Sequence, residues 1–390
     1  MKSFRFKLFN NKRKSRRLDN ELRIFCQVYN HSLALIRGYY KLYGKHLSKN
    51  KLQKHLVKLS ESTYPQWKAV GYSQGIQEVT DRIYKSYDAF FKWIKTRKGD
   101  KKSPPKFKSF LKYKSFTLKQ AGWELDEENG RLRIGPNWYR YNNSRRIQGT
   151  PKTINIKRDA VGDWFISVSC EVEKDFIPAK IIPMTGKMAG FDFGMKTFLK
   201  ASDGSDHNSS EFLKQHLNEL ARANRSLAKK EKGSKNRKKS KKSLARVHRK
   251  VANKRLDSHY QLAVKLLKKF DYLFFEDLTL SGMKKLWGRK VSDYAFATFL
   301  KIIELKAKEH GKTFHKVGRF FPSSKLCSNP KCGQIKLKGE LTLKDRIFKC
   351  ECCGLEIDRD LNAAINILNE GISSLGLDGV SLVFEPASVA

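Results

Sequence analysis

Residues 327–332 read Cys327-Ser328-Asn329-Pro330-Lys331-Cys332, and residues 350–364 read Cys350-Glu351-Cys352-Cys353-Gly354-Leu355-Glu356-Ile357-Asp358-Arg359-Asp360-Leu361-Asn362-Ala363-Ala364. The cysteines form two close pairs, Cys327/Cys332 and Cys350/Cys353, with seventeen residues between them. Four thiolates so spaced close a tetrahedral zinc site, each pair on a tight turn that Gly333 and Gly354 relieve. The four-residue gap in the first pair departs from the two-residue gap common in zinc ribbons. Cys352 competes with Cys353, and the Cys350–Cys353 spacing with Gly354 favours Cys353. The plainer alternative is a set of unpaired surface cysteines. Four sulfurs leave no open coordination position, so a Zn²⁺ ion here is structural, not catalytic. The acidic run 358–360 then opens a helix, which directs attention to acids upstream that it could join.

Two such acids end apolar strands. Asp192 lies in Gly190-Phe191-Asp192-Phe193-Gly194, and Glu276 follows Tyr272-Leu273-Phe274-Phe275. A lone carboxylate in an apolar strand is costly unless its charge is compensated. Three acids from separate elements can converge on Mg²⁺, and two such ions about 4 Å apart activate water and stabilise the leaving oxygen in phosphodiester cleavage. Each acid also has a plainer reading. Asp358 or Asp360 can cap the helix, and Glu276 can pair with a lysine. The order strand-acid, strand-acid, helix-acid, with the cysteines just before the last, gives the combination its weight.

Composition points to a polyanionic partner. The 390 residues hold 81 Lys+Arg against 38 Asp+Glu, a net charge of +43. Such a charge repels itself unless a partner such as nucleic acid neutralises it. A ribosomal-type or histone-like protein is the alternative, but the chain is 12% aromatic. Seven cysteines, four of them at metal-ligand spacing and two (Cys26, Cys170) alone in apolar segments, fit a reducing compartment. The N-terminus has no apolar signal core and no run is long enough to span a membrane. The expectation is a soluble cytoplasmic protein, nucleoid-associated in a prokaryotic cell, with no membrane partner. Its oligomeric state is open, with a monomer favoured.

Along the chain, Phe4, Phe6 and Leu8 alternate with Arg5 and Lys7, a strand with one basic face. After the basic cluster 12–17, apolar residues at helical spacing mark helices over 18–97, the second from Ser48 and the third from Ser73. Pro104-Pro105 ends this region, and short strands with turns fill 106–182. They suggest a small antiparallel barrel or sandwich that the N-terminal strand can join. From Lys229 to Arg255 there are fourteen Lys/Arg and one acid. The alternatives are a solvated basic linker and a helical hairpin with its tip at 232–235. Flanking apolar residues favour the hairpin.

With these motifs in place, the chain resembles the TnpB family, transposon-encoded RNA-guided nucleases related to type V CRISPR effectors. The resemblance rests on Asp192 with Gly190 and Gly194, on Glu276, and on the D-R-D-x-N-A-A pattern of 358–364. It extends to Phe321-Pro322-Ser323-Ser324-Lys325-Leu326-Cys327, to Tyr29-Asn30-His31 and to Pro105-Lys106-Phe107. It implies an α/β multidomain fold whose RuvC (RNase H-like) nuclease domain carries an inserted zinc ribbon, beside an N-terminal helical recognition domain and a small β-barrel wedge domain. The wedge takes 1–17 and 100–182, the helical domain 18–99, and the nuclease 183–320 and 355–372, with a basic hairpin at 211–269. The ribbon takes 321–354, and 373–390 is a flexible tail. The implied catalytic and magnesium-binding acids are Asp192, Glu276 and Asp360, with Asp358 as second choice for the third. The implied partners are a guide RNA and a double-stranded DNA target. Arg5, Lys7, Lys12 and Arg13, with Lys235, Arg237 and Lys238 at the hairpin tip, are the candidate nucleic-acid contacts. A miniature type V CRISPR effector, a cleavage-free RNA-guided repressor, an RNA-independent transposase and an rRNA- or tRNA-associated protein are the competing readings.

Overall fold

The alternation Phe4-Arg5-Phe6-Lys7-Leu8 builds strand β1 (Lys2–Phe9), with the apolar residues buried and Arg5 and Lys7 outside. The computed structural model describes residues 1–9, 11–69, 73–99, 101–172, 181–209, 211–278, 288, 290–337, 340–341 and 345–377. The chain divides into two units, Met1–Phe176 and Ile177–Ala390.

In the first unit β1 leads into helix α1 (Lys12–Tyr43), capped by the Asn11 side chain and stopped by Gly44 at φ +64°. The basic cluster 12–17 is thus the start of this helix, six residues ahead of the helical boundary expected at 18. Helices α2 (Lys49–Glu61, capped by Ser48), α3 (Pro65–Ala69) and α4 (Ser73–Thr96) follow. Six more strands come next: β2 (Ser115–Leu118), β3 (Trp123–Asp126), β4 (Arg131–Ile134), β5 (Asn137–Tyr141), β6 (Thr150–Arg158) and β7 (Trp164–Glu171). The sheet runs β2-β6-β7-β1-β5-β4-β3. The first strand holds its middle: Lys2–Lys7 pair with β7, and Leu8 and Phe9 pair with β5. The result is an open, barrel-like antiparallel sheet. One continuous core joins it to the helices, with Phe25 of α1 stacked on Phe116 of β2 at 4.9 Å between ring centres.

The second unit is built on strands β8 (Met188–Asp192), β9 (Leu199–Ala201), β10 (Asp206–His207), β11 (Tyr272–Glu276) and β12 (Thr313–Val317), in the order β10-β9-β8-β11-β12. The first three form an antiparallel meander, while β11 and β12 run parallel to β8. This is the RNase H-like arrangement. Between β10 and β11 come α5 (Phe212–Gln215), α6 (Leu217–Ala228) and the 35-residue α7 (Lys235–Lys269). The helices α6 and α7 pack as a hairpin that turns through Gly233 at φ +94°. Helix α8 (Phe296–Glu309) carries the chain from β11 to β12, and α9 (Arg359–Ser374) closes the unit. Strand parity sorts the two faces. Ala189, Phe191, Leu273 and Phe275 pack with α7 and α8. Phe274 on the opposite face packs with Ile367 and Leu368 of α9. A short hairpin, β13 (Ile347–Lys349) with β14 (Glu356–Asp358), leads directly into α9. The tail expected over 373–390 lies outside the described residues from 378 on. Among the described residues no helix is long and apolar enough to cross a membrane.

Candidate active site and cysteine knuckle

Asp192 and Glu276 are the last residues of β8 and β11. The parallel register pairs Phe274 with Gly190 and Phe275 with Phe191, which sets Glu276 beside Asp192. Both acids share parity with Gly190 and Phe274, so both lie on the face that α9 covers. Gly190 makes that cover possible, since a Cβ there would overlap the Ala364 carbonyl oxygen and the backbone of Leu368. Helix α9 therefore lies directly on β8, and its first turn brings Asp360 to the strand ends. Asp360 Oδ2 stands 3.6 Å from the position a Cβ on Gly194 would take, two residues beyond Asp192.

The electrostatics agree with this convergence. Burial pushes Asp192 up to about 8, and the charges of Asp360 and Glu276 add to it against Arg359 and the Phe193 backbone N–H. Burial, then Asp277, raises Glu276. Burial, then Asp358, raises Asp360, against Arg346, Arg359 and Lys200. Lys200 stands opposite Asp192 in the β8–β9 register, and its ammonium donates to the Gly204 carbonyl at 3.1 Å and pairs with Asp206 at 2.8 Å. Asp358 does different work: its Oδ1 caps α9, accepting from Asp360 N–H at 3.0 Å and Leu361 N–H at 2.9 Å. The three acids are packed more loosely than the cysteines, the one acid, thiol or imidazole group among the described residues whose ligand atoms all lie within 4.8 Å. An all-oxygen set of half-buried, mutually repelling carboxylates suits a hard divalent cation.

The Sγ atoms of Cys327, Cys332, Cys350 and Cys353 come together, with Cys327–Cys353 at 3.6 Å and Cys332–Cys350 at 3.5 Å. A zinc–sulfur bond of ~2.3 Å gives a tetrahedral edge of about 3.8 Å, so the thiols fit zinc. The Leu355 backbone N–H holds the Cys353 thiol down, toward the thiolate that binds metal. Cys352 is exposed and outside the group. Two buried asparagines tie this knuckle to α9. The Asn362 amide donates to the Leu326 carbonyl at 2.7 Å while its oxygen accepts from Ser328 N–H at 3.0 Å. Asn366 donates to the carbonyls of Ser323 at 2.9 Å and Leu326 at 2.6 Å.

The candidate nucleic-acid contacts fare differently from one another. Lys12 and Arg13, with Arg16, Arg17 and Asn20, line a depression of about 480 Å³ on the first turns of α1. Arg5 lies over the Phe165 ring at 4.1 Å, and Lys7 pairs with Asp163 at 3.1 Å. Lys235 and Lys238 are exposed at the hairpin tip. Arg237 is instead turned inward, donating to the carbonyls of Leu227 at 3.0 Å and Lys230 at 2.6 Å at the end of α6.

The parts of the chain that carry these groups match known families. Residues 167–286, with Asp192 and Glu276, match the family described as probable transposase (OrfB_IS605). Residues 296–367, with the four cysteines and Asp360, match the Cas12f1-like TNB domain. A protein of Escherichia coli K12 named putative RNA-guided DNA endonuclease InsQ is 26% identical over 364 residues, 88% of this chain and 86% of its own length. A Streptomyces pristinaespiralis protein named putative RNA-guided DNA endonuclease is 34% identical over 226 residues, and a TnpB-like protein of Acanthamoeba polyphaga mimivirus 25% identical over 291. The chain is thus similar to TnpB-like proteins and to proteins named for RNA-guided DNA cleavage. It spans about half the length of the Streptomyces relative (54%) and of the mimivirus relative (52%). Its fold is that of a Cas12f1 solved with a single guide RNA and target DNA, at a TM-score of 0.53 and 20% identity over 92% of this chain and 83% of that one. As in that α/β multidomain structure, this chain joins an RNase H-like sheet to a cysteine knuckle. The sequence alone assigned no role to Asn362, which it shows only as part of the 358–364 pattern, nor to Asn366 or Lys200. A signal existed for the first two: asparagines four apart on a helix face otherwise made of Ala, Ile and Leu.

Proposed function

We propose that this chain is an RNA-guided DNA endonuclease, in which Asp192, Glu276 and Asp360 hold Mg²⁺ and Cys327, Cys332, Cys350 and Cys353 hold a structural Zn²⁺. The observation that carries the reading is the meeting of the three acids at one end of an RNase H-like sheet. Divalent cations, when bound, would supply an activated water and stabilise the leaving oxygen of the phosphodiester. The chain's own part is placement. The register of β8 and β11 fixes Asp192 beside Glu276, and the capped start of α9 presents Asp360 to Asp192. The knuckle, clamped by Asn362 and Asn366, holds α9 at that height. The net charge of +43 suits a nucleic-acid cargo, and the E. coli and Streptomyces relatives are named for RNA-guided action on DNA. Guide pairing would then read the target, with the protein reading a short flanking DNA motif.

The test is direct. The protein is expressed with its flanking genomic DNA, the copurifying RNA is sequenced, and a plasmid matching that RNA is offered with Mg²⁺. Cleavage confined to the matching plasmid is expected, with none from Asp192→Ala. If Asp192→Ala cuts like the parent, these acids are not the catalytic set. Cutting without any bound RNA would reject guidance.

A further inference from the structure

Past the end of β12 the chain turns through Gly318-Arg319-Phe320-Phe321, closed by the Phe321 N–H donating to the Gly318 carbonyl at 3.0 Å. Phe320 is 94% exposed, more than any other large apolar side chain among the described residues. A single exposed phenylalanine needs no explanation by itself. This one, however, is held out by both neighbours. Arg319 donates to the Asp277 carboxylate at 2.6 Å and to its carbonyl at 3.4 Å. Phe321 packs on the cluster of Phe274, Val317, Ile367 and Leu368 beneath α9. The ring is thus presented on an anchored turn.

The position of the turn gives the ring its meaning. Val317, the last residue of β12, pairs with Glu276, and Arg319 anchors on the residue that follows Glu276. Phe320 therefore stands at the carboxylate end of the sheet, three residues past the end of the strand that pairs with Glu276. We infer that Phe320 stacks on a nucleobase of the unpaired DNA strand beside the scissile phosphate, as a substrate-positioning residue. The inference rests on the nuclease reading above. An enzyme that cuts whatever its guide selects needs a contact indifferent to base identity, and every base offers a π face. A base inside a duplex has both faces stacked, so the occupant is unpaired.

Single-turnover cleavage by the guide-loaded chain tests this with three variants. Phe320→Ala is expected to cut about tenfold more slowly at subsaturating DNA. Phe320→Trp should hold close to the parental rate, while Phe320→Leu should fall with Phe320→Ala, since bulk without a π face is not enough. Melting temperature, zinc content and RNA binding should stay unchanged, because the ring packs against little in the fold. A 2-aminopurine beside the cut site should be quenched by the parent and by Phe320→Trp, and not by Phe320→Ala. Parental rates from Phe320→Ala, or full rescue by Phe320→Leu, overturn the inference. If the parent itself cuts nothing, the nuclease reading fails, and the 2-aminopurine signal still decides whether the ring stacks.

Discussion

Asp192 is a buried acid whose largest charge interactions are with two other acids, Asp360 and Glu276, and that conflict has a readable consequence. Its carboxyl is pushed up to about 8 from 3.8, so the metal-free fold binds a proton that the unfolded chain releases. The associated stability is complete below pH 3.8 and is lost as pH rises through about 8. Asp192→Asn removes the charge at nearly constant shape. Thermal melts of the metal-free protein at pH 8 should show the variant more stable, on the order of 5 °C, with the gap closing toward pH 4. The same variant should lose roughly 10³-fold or more of the cleavage rate. Magnesium should raise the parent's melting temperature and leave the variant's nearly unmoved. A variant that is both slower and less stable at pH 8 would show that Asp192 holds the fold instead of straining it.

At the scale of elements, the strand ends are ordered by one close approach. Helix α9 lies on β8 because Gly190 has no side chain, and Gly371 similarly makes room for the Phe274 ring. Gly190→Ala should lift the helix, at a cost of about 1–3 kcal/mol, and slow cleavage by displacing Asp360. Gly38, inside α1 with open space at its Cβ position, is the control, and Gly38→Ala should be neutral or stabilising by up to ~1 kcal/mol. Denaturant melts and initial rates on the same preparations separate the two. Equal behaviour of both alanines would remove the cradle from the account. The hairpin gives a second contrast. Lys235→Glu with Lys238→Glu should weaken RNA binding and flatten its salt dependence, with the fold intact. Arg237→Ala should loosen the turn itself, seen as faster amide exchange at the end of α6, because its guanidinium serves the carbonyls of Leu227 and Lys230. Sequence patterning made the strand acids, the cysteine spacing and the hairpin legible, because each is a local period or interval. The inward turn of Arg237 was not legible among fourteen basic residues, since side-chain direction depends on which carbonyls the packed helices leave open. Nor was the start of α1 at Lys12, where charge concealed a helix whose cap is the polar Asn11.

At the scale of the whole molecule the question is how a closed metal site can matter to chemistry at another. The four thiols leave no open position, and α9 begins six residues after Cys353. The link is mechanical: Asn362 and Asn366 bond the backbone of Ser323, Leu326 and Ser328, so the knuckle and the helix that carries Asp360 share one set of buried hydrogen bonds. Asn362→Ala should leave zinc content unchanged, leave the Leu326 carbonyl and Ser328 N–H without that partner, and slow cleavage by about 10–100-fold. Extraction of zinc with a chelator, followed by restored Mg²⁺, should abolish cleavage while RNA binding persists, because the basic face of α1 and the hairpin tip lie outside the knuckle. Returning Zn²⁺ should return the rate. Magnesium alone restoring full cleavage to the zinc-free protein would show that α9 keeps its place without the knuckle, and would leave the asparagine bonds as packing detail. The paired experiment separates metal from clamp. Chelation removes the cluster with Asn362 in place, the substitution removes the clamp with the cluster in place, and the mechanical link requires both to fall on Asp360's contribution to the rate.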